Sequence, residues 1–157
     1  GRGRRFLHLA THGVFRADNP LFSSIRLSDG PLHVFDLYDL HLPMDMVTLS
    51  GCGTGLSVLA GGDELLGLVR GWLFAGARSL LVSLWDVNDA STARLMSRFY
   101  DGLRKGHRKS SALRLASLEH RQEHPHPYHW APFVLIGDAE RPAFPGGRSR
   151  PSEKLTR

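Results

Sequence analysis

Two short apolar runs each end in a glycine turn that carries one reactive side chain. Phe6-Leu7-His8-Leu9-Ala10-Thr11 leads into His12-Gly13, and Met46-Val47-Thr48-Leu49-Ser50 leads into Gly51-Cys52-Gly53-Thr54-Gly55. Residues 6–10 and 46–50 read as buried strands. In an open parallel sheet, ligands and substrates gather beyond the strand C-termini. The pairing therefore constrains fold and chemistry together. Cys52 is the only cysteine in the chain, and a single cysteine with a distant histidine is the sequence signal of a thiol nucleophile.

The rest of the pattern fits the same architecture. Residues 14–44 read as irregular, with turns at Asp18-Asn19-Pro20 and Ser28-Asp29-Gly30-Pro31. A small hairpin is expected from Ser24–Leu27 and His33–Phe35, and one helical turn from Asp36 to Leu40. Gly61-Gly62-Asp63-Glu64 opens a helix whose apolar residues Leu65, Leu68, Val69, Trp72 and Leu73 recur at helical spacing. Ser79 to Trp85 reads as a strand buried on both faces. Asn88-Asp89 caps the next helix, with Leu95, Met96, Phe99, Tyr100 and Leu103 as its inner stripe and Gly106 as its terminator. Ser110 to about His120 is a further helix, and Phe133–Ile136 a last strand. Strands alternating with helices argue an α/β fold with a mostly parallel sheet flanked by helices.

Composition sets the class. The 157 residues suit one domain with a substantial core. A lone cysteine excludes an internal disulfide framework and suits a reducing, cytoplasmic setting. No secretory signal is read at the start, and Arg70 and Arg78 interrupt the richest apolar stretch, so no membrane span is expected. The net charge is +5, but residues 6–138 hold 12 bases against 13 acids. The excess lies in the ends: residues 1–5 form a basic segment, and residues 139–157 read as a disordered basic tail. A nucleic-acid domain carries its basic face on the folded body, so nucleic acid is not an expected partner.

Cysteine attacks as thiolate, and a free thiol with a pKa of about 8.5 needs help near neutral pH. A histidine across a cleft can take the proton. Acyl transfer also needs donors for the oxyanion, and the backbone N–H groups of a glycine-rich turn are accessible ones. A lone cysteine also serves as a small buried hydrophobe, so composition leaves both readings standing. His8 alternates with Leu7 and Leu9 and reads as structural. Gly51–Gly55 lacks the endings of a phosphate-binding or dinucleotide loop. His120, His124, His126 and His129 match no closed zinc pattern, and Pro125 and Pro127 make this stretch a solvated loop. Asp86 and Asp89 follow the strand 79–85. A helix cap explains Asp89, and a pocket acid selecting basic side chains is the sharper alternative.

Taken in order, Ala10-Thr11-His12-Gly13, Leu49-Ser50-Gly51-Cys52, Gly62-Asp63-Glu64-Leu65-Leu66-Gly67-Leu68, Ser83-Leu84-Trp85-Asp86-Val87-Asn88-Asp89 and Tyr128-His129-Trp130-Ala131-Pro132-Phe133 resemble the caspase-like CHAT domains of bacteria, relatives of separase and the caspases. The ordered set covers nearly all of residues 6–138. The resemblance implies a caspase-type sheet and a cysteine endopeptidase acting on a protein or peptide. It implies Cys52 as nucleophile, His12 as general base or acid, and the backbone N–H groups of Gly13 and Cys52 as the oxyanion site. No metal or other cofactor is implied. A helical-repeat regulatory segment upstream is the implied partner.

Three departures accompany the resemblance. Gly51 stands where the family commonly has Ala, and Gly53 where it has a polar residue. The chain begins at the histidine strand, so it is expected to lack the N-terminal strands of the full fold and to leave a sheet edge unfinished. The acid of a basic specificity pocket is not fixed, with Asp86 and Asp89 as its candidates. Two alternatives follow: a catalytically inactive caspase-fold interaction module, and an acyltransferase or small-amide hydrolase using the same dyad.

Overall fold

The computed structural model describes residues 6–14, 16, 18–50, 63–86 and 88–142. The expected basic segment 1–5, the far tail 143–157 and the Gly51–Gly55 turn with Cys52 lie outside them.

The main sheet holds β1 (Phe6–Leu9), β5 (Met46–Leu49), β6 (Ser79–Ser83) and β7 (Phe133–Gly137), in the order β1-β5-β6-β7. β1, β5 and β6 run parallel, and β7 is antiparallel to β6. The mostly parallel α/β fold expected from the sequence is the fold observed.

The pleat of the two central strands explains the layering. β5 and β6 are buried at every residue. Alternate side chains feed opposite cores. Val47, Leu49, Leu80 and Val82 join Leu68, Val69 and Trp72 on one face. Met46 and Leu81 join Leu95, Met96, Phe99 and Leu103 on the other. The first face is covered by α2 (Asp63–Phe74) and the second by α3 (Asp89–Arg104) and α4 (Lys109–Glu123). Sheet burial on both sides is why these strands are near-continuous apolar runs.

A second, antiparallel sheet of β2 (Gly13–Val14), β3 (Ser24–Leu27) and β4 (Gly30–His33) follows β1. The hairpin forms, but its second strand starts at Gly30 rather than His33. Pro31 is tolerated because β4 is an edge strand, where a missing N–H breaks no inner ladder. The helical turn falls at α1 (Val34–Leu37) instead of 36–40. Asp36 sets it there, its carboxylate accepting the His33 N–H at 2.8 Å. β6 ends at Ser83 rather than Trp85 because the next rung is one-sided: the Leu84 N–H donates to the Pro132 carbonyl, but Pro132 has no N–H to return the bond. Asn88 caps α3 as expected, accepting the Ser91 N–H at 3.0 Å.

The histidine-rich stretch is a loop only over residues 124–126, where Pro125 and His126 are exposed as expected. His120 lies inside α4 with no exposed surface. Arg98 donates to its Nδ1 at 2.9 Å, so Nε2 carries the proton and donates to Ser91 Oγ at 2.7 Å. Pro127 opens a short helix, α5 (Pro127–Trp130), because proline suits the first helical position. Burial, then the charges of His124 and Arg98, hold His120 below the ordinary 6.5. The unfolded chain therefore takes up a proton first. Stability is complete above the ordinary value and declines as pH falls through it. The thermal midpoint is expected to fall between about pH 7.5 and 5.5, and to fall less steeply in His120→Gln. Residues 139–142, the start of the expected tail, are held: Ser110 N–H bonds the Ala139 carbonyl, Glu140 pairs with Arg108, and Pro142 bridges Arg108. Among the described residues no helix is long and apolar enough to cross a membrane.

Candidate active site

β1 and β5 are neighbours in register, Leu9 opposite Leu49. Just past the ladder, the Ser50 N–H donates to the Leu9 carbonyl at 3.1 Å. The two strand ends therefore stay together, with His12 three positions beyond Leu9 and Ser50 two positions before Cys52 in the sequence. His12 is fixed through its backbone. Its carbonyl accepts the Arg26 N–H at 2.9 Å, and the Thr11 hydroxyl donates to the Arg26 carbonyl at 2.6 Å. The second sheet thus anchors the histidine segment, and the His12 side chain remains exposed.

The same bond settles the orientation of Gly13. Gly13 pairs with Ile25, and the flanking His12–Arg26 bond makes this a non-hydrogen-bonded pair. The Gly13 N–H therefore points away from β3. Cys52 and its N–H lie outside the described residues, but Ser50, two positions before it, does not.

A cavity of about 410 Å³ opens at these strand ends. His8, Ala10, Thr11, His12 and Ser50 form one wall, and Asp89, Thr92, Ala93 and Met96 at the start of α3 form the other. Asp89 therefore joins His12 at one cavity, beside its place in the first turn of α3. Asp86 sits on the connection after β6 and is not among the lining residues.

His8 and Ser50 are the residues that sequence reasoning passed over. His8 Nε2 lies 2.6 Å from Ser50 Oγ, and His8 Nδ1 lies 3.2 Å from the Tyr100 hydroxyl. Tyr100 donates to Thr48 Oγ1 at 2.9 Å. Burial lowers the His8 pKa from 6.5, and burial raises that of Tyr100 against the opposing effect of its bond to Thr48. Both are therefore neutral near neutral pH. A signal was present: His8, Thr48 and Ser50 occupy alternate positions that share the face opposite Leu7, Val47 and Leu49. Their mutual contact depends on strand register.

The family model for the CHAT domain matches residues 2–138. Human tetratricopeptide repeat protein 28 is 36% identical over 104 residues, covering 65% of this chain and 4% of that protein. The mouse protein of the same name matches with the same identity and coverage. The chain thus spans a small fraction of the relatives it matches. Both relatives are mammalian, so the resemblance carries no weight toward a bacterial source. With the family match running from before β1 to the end of β7, this chain belongs to the CHAT domain family.

Proposed function

We propose that this domain is a caspase-like cysteine endopeptidase in which Cys52 attacks the scissile carbonyl and His12 moves the proton. The supporting observation is the cavity shared by His12 and Ser50 at the ends of two adjacent parallel strands. In this reading the Gly13 N–H, turned away from β3, and the Cys52 N–H receive the developing oxyanion. Asp89 on the opposite wall, with Asp86 nearby in sequence, favours a basic substrate side chain. A reducing compartment such as the cytoplasm suits a lone catalytic thiol. That the matched relatives are tetratricopeptide repeat proteins supports a helical-repeat segment as the regulatory partner.

The test compares the chain, and the same domain joined to any upstream repeats, with Cys52→Ala on candidate protein substrates. Cleavage is expected only with the thiol. Equal cleavage by both proteins overturns the assignment.

One feature favours a second reading, an interaction module that keeps the protease fold. Phe22 packs edge-on to Phe35, and Tyr38 packs on Phe74, yet all four remain exposed. Exposed aromatic clusters of this kind mark contact surfaces. Substrates untouched by the wild-type domain, together with ordinary thiol reactivity, would support that reading.

A further inference from the structure

We propose that His8 is a positioning residue for the nucleophile: its imidazole, aimed by Tyr100, fixes Ser50 where β5 hands the chain on to Gly51-Cys52. The inference rests on the Cys52/His12 reading above and deepens it.

Three elements meet in this contact. β1 contributes His8, β5 contributes Thr48 and leads to Ser50, and α3 contributes Tyr100. Tyr100 has one hydroxyl proton and gives it to Thr48. The 3.2 Å contact to His8 is then donated by the ring, which places the proton on Nδ1. Nε2 keeps its lone pair and accepts the Ser50 hydroxyl at 2.6 Å. One tautomer thus satisfies every member of the circuit. The Ser50 N–H is held as well, by the Leu9 carbonyl. Ser50 is only 8% exposed and is clamped through both side chain and backbone.

His8 lies on the outer face of the edge strand β1, whereas Thr48 and Ser50 beneath it are buried. The neighbours on either side of His8 are leucines that serve the core. A half-buried polar circuit costs stability unless each group is paired. Here the pairing is complete, and it sits on the wall of the cavity that His12 also lines. The circuit spans 42 residues from His8 to Ser50 and 92 from His8 to Tyr100. It therefore ties the histidine strand, the cysteine strand and the covering helix together at Ser50, two positions before Cys52 in the chain.

The single cysteine makes the test clean. The second-order rate of iodoacetamide alkylation near neutral pH is measured for the whole chain and its variants. Glutamine places its amide near the position of Nε2, whereas asparagine reaches only that of Nδ1. His8→Asn and Ser50→Ala are each expected to slow alkylation about 10-fold, because small misplacements at a reactive centre are costly. His8→Gln and Ser50→Thr, which keep the contact, should stay within about 2-fold of wild type, and His8→Asn/Ser50→Ala should be no slower than either single variant.

If alkylation depends on His12 but His8→Gln is as slow as His8→Asn, or the two single effects multiply, the positioning role is overturned. Ester hydrolysis by Cys52→Ala that vanishes in Cys52→Ala/Ser50→Ala overturns it too, because Ser50 would then be a nucleophile itself. If wild type and His12→Ala react at the same rate, the dyad reading itself is overturned, and the positioning role with it.

Discussion

Replacing His12 with alanine is expected to lower kcat/KM for a peptide substrate by about a hundred- to ten-thousandfold, the usual contribution of a positioned general base. The same variant should unfold within about 1–2 °C of wild type, because exposed side chains outside special contacts change stability by roughly 0.5 kcal/mol or less. The two expectations come from one piece of geometry. The His12 side chain is exposed, while its segment is held by backbone groups and by Thr11. Alanine removes the imidazole and leaves the Arg26 bonds to residues 11 and 12 in place. Parallel measurements of peptide hydrolysis and thermal unfolding check the pair. A variant that keeps full activity removes His12 from the mechanism. One that loses activity together with its melting temperature makes the residue structural.

The second large effect lies at the far end of the sheet. Lys109, the first residue of α4, is 1% exposed. Its Nζ donates to the Asp45 carbonyl at 3.0 Å, to Ser79 Oγ at 2.9 Å and to the Asp138 carbonyl at 2.9 Å. These acceptors precede β5, open β6 and follow β7. One ammonium therefore gathers three strand ends. Alanine removes the Lys109 donor from the Asp138 carbonyl and the Ser79 hydroxyl oxygen and leaves the Asp45 carbonyl with the Ser79 hydroxyl alone, at about 1–3 kcal/mol for each acceptor left unpaired where water cannot reach. Relief of the cost of burying the charge offsets part of this.

A net loss of about 3 kcal/mol is expected, which lowers the melting temperature by roughly 6–12 °C for a chain of this size. Lys109→Met keeps most of the stem's volume and should lose less. Both should react at Cys52 like wild type below their transitions, since the pin sits at the opposite strand ends from His12 and Ser50. Thermal unfolding followed by circular dichroism measures the loss. A drop of less than about 2 °C in Lys109→Ala would show that the pin contributes little.

Lys109 also marks where sequence reading stops. It stands just before the helix expected from Ser110, where a lysine normally reads as a solvated side chain. Its burial follows from β7 returning antiparallel to β6 and bringing Asp138 alongside Arg78. Gly137 adopts φ +89 beside Arg78 at that closure, a conformation side chains seldom accept. His120 misled for the same reason. Its neighbours in sequence are polar and proline-rich, yet Ser91 and Arg98, 29 and 22 residues away, enclose it. By contrast, β5, β6, α2 and α3 were all legible. Their apolar residues recur with the period of the element itself, and Asn88 announces its cap within three residues.

The order of the main-sheet strands and their covering helices, and the family, were written in the chain alone. Each depends on periodicity, capping or motif order, which act over a few residues. The tertiary structure alone decided that His8, Ser50 and Tyr100 form one circuit, that Asp89 rather than Asp86 shares the cavity with His12, and that Lys109 and His120 are buried. Those outcomes depend on strand register and on which helix covers which face. Register and packing are set by contacts between residues tens of positions apart, so no local pattern encodes them.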